Sequence, residues 1–130
     1  MADSEADAFA HFTNSMGNVA PSIRAMRKFA PGYFEGYVKM REFIYTNPPE
    51  GALDLKTKEL IYVLLDIATD NLPGAENHMR AAMRAGLTTA ELVQGCMQVI
   101  HVMGIGTWGK TGHKVCESAE RVEAEMREKK

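Results

Sequence analysis

Among the four histidines, His78 stands first as a candidate for acid–base chemistry. On a helix, its spacing to Ala81, Ala82 and Ala85 puts the imidazole over small residues. Small neighbours leave room, and room beside a titratable group is what a pocket requires. Glu59 lies on a segment whose Leu60, Leu64 and Ile67 form an apolar stripe, so this carboxylate should sit close to a buried surface. A carboxylate and an imidazole around one cavity supply a base and an acid near neutral pH, provided burial separates their pKa values. Further along, Gln94, Gln98 and His101 fall within about 60° of one another on a helix that is otherwise apolar. A polar strip on a buried helix must find partners or line a cavity, so these three are candidates for substrate binding.

Other chemistries find less support. His78, His101 and His113 include no pair at i,i+4 and no HExxH, so no metal site is expected. Cys96 and Cys116 have neither CxxC nor zinc-ligand spacing and read as reduced thiols. The run Gly104 to Gly109 matches GxGxxG literally but follows a helix, so the phosphate-cradling context is missing. It reads better as a junction or a site of close helix packing. Nine methionines, with Met79 and Met83 at i,i+4, are assigned to filling a core or a subunit contact.

Helices must position these groups, because no Val/Ile/Thr run alternates with polar residues between turns. The expected fold is an all-α bundle of six or seven helices. One helix should cover Glu5 to Ser15 and end near Gly17, and a second should open at Pro21 and stop before Pro31. An aromatic-rich segment, Gly32 to Thr46, is bounded by Asn47-Pro48-Pro49. Asp54 caps a helix reaching about Asp70. Pro73-Gly74 should then break the chain, leaving a short helix from Ala75 to Gly86. Thr88 and Glu91 have capping-box spacing at the start of a helix to about Met103, apolar nearly all round and therefore expected to be central. In the last helix, Trp108, Gly112, Val115, Ala119, Val122 and Met126 alternate steps of four and three, a seam for lengthwise packing on a helix of this chain or of another.

At 130 residues the chain should form one domain, with N-terminal helices over 1–50 and the motif-bearing region over 51–130. A net charge of −2 offers nothing to nucleic acid or to an anionic membrane. No stretch nears the ~18 apolar residues of a membrane span, and the acidic start Met1-Ala2-Asp3-Ser4-Glu5 is unlike a secretory signal. A cytoplasmic address is the expectation.

Three segments resemble one known family. Leu53-Asp54-Leu55-Lys56-Thr57-Lys58-Glu59-Leu60-Ile61 is similar to a helix opening with a functional glutamate in the carboxymuconolactone decarboxylase and alkylhydroperoxidase-D-like superfamily. His78-Met79-Arg80-Ala81-Ala82-Met83-Arg84-Ala85-Gly86 resembles its histidine signature, and Gly86 to Leu92 its next helix opening. The likeness spans Leu53 to Gly109. It implies Glu59 and His78 as catalytic residues, a homo-oligomer (trimer or hexamer), and a small-molecule substrate. The peroxidase branch carries two cysteines where Asn71 and Gly74 stand here, so the resemblance is to the cysteine-free decarboxylase branch, which uses neither metal nor organic cofactor. Gln94 stands where that branch carries a second glutamate, and Gly104-Ile105-Gly106 where it ends in Gly-x-Pro.

The implied activity is that of a carboxy-lyase: decarboxylation or isomerisation of a small carboxylated lactone or related acid. Decarboxylation leaves an electron pair that must be delocalised and then protonated; an imidazolium at His78 could deliver that proton, and Gln98 could steady an enolate. Two other classes remain open. One is a peroxide-handling oxidoreductase using Cys96 or Cys116, and the other is a non-catalytic oligomeric binding protein.

Overall fold

The computed structural model describes residues 4–130, which contain eight α-helices and no strand. The all-α expectation holds, and the count exceeds the six or seven expected. Contacts divide the chain into two compact units, Met1–Ala52 and Leu53–Lys130.

In the first unit the expected N-terminal helix is two, α1 (Glu5–Ala8) and α2 (Ala10–Met16), interrupted at Phe9. Ser4 caps α1 by accepting from the Asp7 amide, and Gly17 closes α2 with a left-handed φ of 81°. Helices α3 (Pro21–Phe29) and α4 (Pro31–Ile44) each start on a proline, which fits a first turn whose amides need no partner. Phe9, Phe12 and Phe34 form the core, with the Phe9 and Phe34 rings edge-on at 5.5 Å.

Arg41 is buried beside this core and donates to His11 Nε2 (3.1 Å), Ser15 Oγ (3.0 Å) and Tyr45 Oη (3.1 Å). Burial first, and the Arg41 charge second, hold the His11 imidazole below its usual pKa, which keeps Nε2 an acceptor. Replacing Arg41 with Met preserves the aliphatic bulk and removes three donors. We expect a loss of about 1–2 kcal/mol in urea unfolding.

In the second unit, Asp54 caps α5 (Leu55–Ala68) by accepting from the Thr57 amide at 2.8 Å. Helix α6 (Leu72–Arg84) begins before Pro73-Gly74, correcting the expected break. Proline costs nothing in a first turn, and the Asn71 side chain caps the helix by accepting from the Gly74 amide. The Thr88–Glu91 capping box forms at the start of α7 (Thr89–Met103). A single π-helical turn, Trp108–Gly112, leads into α8 (His113–Glu128).

The core of this unit packs Val63 and Ile67 of α5, Met79, Ala82 and Met83 of α6, Leu92 and Cys96 of α7, and Val115 and Ala119 of α8. Met79 and Met83 are core filling, as expected. The α8 seam is used inside the chain: Val115 and Ala119 are buried, and Trp108, Val122 and Met126 pack on the same core. Helix α7 departs from expectation. It buries Leu92, Gly95 and Cys96, while Met97, Val102 and Met103 are exposed, so its own unit covers it on one side only among the described residues. Its periodicity reported apolar character correctly but not what covers it. Among the described residues, no helix is long and apolar enough to cross a membrane.

Candidate functional site

The α5–α6 interface brings Glu59 and His78 together. Capping at Asp54 fixes the register of α5, and Lys56 pairs with Glu91 of the α7 capping box at 3.0 Å, tying the start of α5 to α7. Capping at Asn71 likewise fixes α6 and places His78 on the face turned to α5. The Glu59 side chain is 0% exposed and that of His78 14%, with His78 Nδ1 2.6 Å from Glu59 Oε2. With Nδ1–H donating to the carboxylate, the distance lies at the short end for a charge-assisted bond. The expectation was a base and an acid facing a cavity. The geometry is instead a joined pair, in which the carboxylate orients the ring. The Nε2 atom makes no hydrogen bond among the described residues, which leaves it as the ring atom able to exchange a proton with a substrate.

Two residues not singled out in the sequence complete this face of α5. The Tyr62 ring stacks on His78 at 4.6 Å and 23°, filling one side of the space expected beside the imidazole. Asp66 is half-buried; burial raises its pKa, opposed by the His78 charge and by a hydrogen bond from Asn71 Nδ2 at 3.2 Å. Glu59, Tyr62 and Asp66 recur at i, i+3 and i+7, so one polar stripe on an amphipathic helix was the available signal.

Asn71 and Gly74, which the resemblance matches to the peroxidase cysteines, serve this arrangement. A Cβ at Gly74 would lie 2.5 Å from Asn71 Nδ2 and 2.7 Å from Asp66 Oδ2. The two polar side chains therefore occupy the space a cysteine there would need.

The other candidates lie elsewhere. Gln94, Gln98 and His101 are exposed on α7, which corrects the expectation of a polar strip on a buried helix. Glu91 is occupied in the α7 capping box, where its carboxylate accepts from the Thr88 amide, and as the partner of Lys56. Cys96 and Cys116, placed apart by sequence, meet in the core with Sγ atoms 3.6 Å apart. The GxGxxG run follows α7 and enters the π-helical turn, with no strand before it.

No curated protein sequence matches the chain. The crystal structure of a Burkholderia xenovorans LB400 protein, provisionally assigned as a carboxymuconolactone decarboxylase, is similar over 98% of this chain and 99% of that one, with 37% identity and a TM-score of 0.90. Residues 31–105, more than half the chain and spanning both Glu59 and His78, match the carboxymuconolactone decarboxylase family. The chain belongs to that family.

Proposed function

We propose that the chain is a cofactor-independent acid–base enzyme, acting as a carboxy-lyase or isomerase on a small carboxylated lactone or a related acid. The observation that carries this reading is the 2.6 Å contact between His78 and a wholly buried Glu59. A buried carboxylate bonded to Nδ1 fixes the tautomer and stabilises the imidazolium, so Nε2 can give a proton to a carbanion or enolate and take one back. The charge on the ring persists only during the proton's stay, and Glu59 balances it. Tyr62 holds the ring plane by stacking.

The active form is a homo-oligomer, a trimer or hexamer, in which the whole chain works as a single domain. Exposed Tyr33, Phe43, Met97, Val102 and Ile105 support this, since a soluble monomer rarely leaves so many large apolar side chains uncovered. In such an assembly Gln94, Gln98 and His101 would meet substrate where a second copy covers α7. A cytoplasmic address goes with this reading. Val102→Glu should lower the mass measured by light scattering toward that of a single chain. An unchanged mass would remove α7 from the contact.

The direct test is ultraviolet-monitored turnover of 4-carboxymuconolactone by metal-free protein beside His78→Ala. Turnover that the variant loses by roughly 10²–10⁴-fold is the expected result. Turnover untouched by the substitution would remove His78 from the chemistry, and no turnover by the parent would withdraw this substrate.

A further inference from the structure

Cys96 and Cys116 are separated by a turn and a long stretch of helix, yet α7 and α8 bring their sulfurs to 3.6 Å, in direct contact inside the core. Neither thiol is used by the Glu59–His78 pair, which lies on α5 and α6. We propose that this pair is a second, redox-active site, closing to an intrachain disulfide when a small hydroperoxide oxidises it.

The geometry asks little of the fold. A disulfide places its sulfurs about 2.05 Å apart, so closure needs the two atoms to approach by roughly 1.5 Å. Side-chain torsion at two cysteines on adjacent helices can supply that. The two thiols also differ in a way that gives the reaction a direction. Cys116 is 7% exposed and Cys96 1%, so an oxidant meets Cys116 first. With Cys96 as donor, the S–H···S bond favours the thiolate at Cys116 and holds the proton on Cys96, whose burial acts in the same sense.

The chemistry balances with the hydroperoxide as the only co-reactant. The Cys116 sulfur attacks the terminal peroxide oxygen, the O–O bond breaks, and an alcohol (or water, from hydrogen peroxide) leaves with a proton. Cys116 is then a sulfenic acid. The Cys96 sulfur attacks the Cys116 sulfur and displaces hydroxide, which leaves as water with the Cys96 proton. Two electrons pass from the thiol pair to the peroxide, and one S–S bond replaces two S–H bonds. The contact pair makes the second step fast relative to further oxidation, because the resolving sulfur already touches the one attacked. This separates the site from a lone buried cysteine, which has no resolving partner.

The test treats the full chain with a modest excess of hydrogen peroxide, alkylates what thiol remains under denaturing conditions, and maps peptides without reductant. The expected result is loss of two hydrogens from the intact chain, and one cross-linked peptide pair containing Cys96 and Cys116. Dithiothreitol should restore both thiols. In Cys96→Ser, Cys116 should stop at the sulfenic acid and be captured by dimedone. The wild-type result stands even if that variant fails to fold. Full alkylation of both thiols after peroxide, sulfinic acid at Cys116 without a cross-link, or a disulfide found only between chains would each overturn the proposal.

Discussion

Glu59→Ala is expected to lose roughly 10³-fold in turnover and about 3–5 kcal/mol in stability. Both losses have one cause. The Glu59 carboxylate is wholly buried and bonded to an imidazole that is itself almost covered. Removing it leaves a void in the α5–α6 interface and an Nδ1–H with no acceptor at that place. Glu59→Gln separates the effects. The amide keeps the volume and offers its oxygen to Nδ1–H, so most of the stability should survive. It carries no negative charge, however, and cannot balance an imidazolium formed in the reaction, so turnover should fall nearly as far as in the Ala variant. Urea unfolding read beside steady-state rates checks both. If Gln were as active as Glu, charge support would be irrelevant and His78 would act as a neutral hydrogen-bonding group.

Local signals carried much of this architecture. Asp54 and Thr88 announce their helices because a cap is made by residues three apart, and both caps form as the sequence suggests. Proline misled at Pro73, where a first turn and a break look alike until the Asn71 cap is recognised. At Phe9 the helix stops for no residue type that marks an end, while its ring packs edge-on against Phe34 far along the chain. Contacts of that kind have no local signature. The same limit hid the sulfur pair, since Cys96 and Cys116 belong to helices whose facing sides only the packed core determines. The joining of Glu59 to His78 was suggested by family likeness rather than by spacing. Only the interface of α5 with α6 turns nineteen residues of separation into a hydrogen bond. Tyr62 and Asp66 were legible as a stripe, but the stacking of Tyr62 on His78 was not.

The second large effect is expected at Gly74. Replacing it with Cys should destabilise the fold by about 1–2 kcal/mol through loss of the Asn71 cap, although the position is near the surface and cysteine is small. The added Cβ would meet Asn71 Nδ2 at 2.5 Å and Asp66 Oδ2 at 2.7 Å, both well inside contact distance. Asn71 caps α6 through the Gly74 amide and also donates to Asp66, so moving it loosens a helix start and unpairs a half-buried carboxylate together. In an Asn71→Cys background the first clash is already gone and the cap already lost. The same Gly74→Cys change should then cost roughly 1 kcal/mol less, a coupling that a double-mutant cycle in urea can resolve. That double variant puts a cysteine at both positions, but Asp66 still stands where the second Cβ must go. A cysteine pair at these positions therefore requires Asp66 to yield as well. Equal stability for Gly74→Cys and the parent would show that Asn71 and Asp66 swing aside freely, and the polar bracket near His78 would then be no barrier to the peroxidase arrangement.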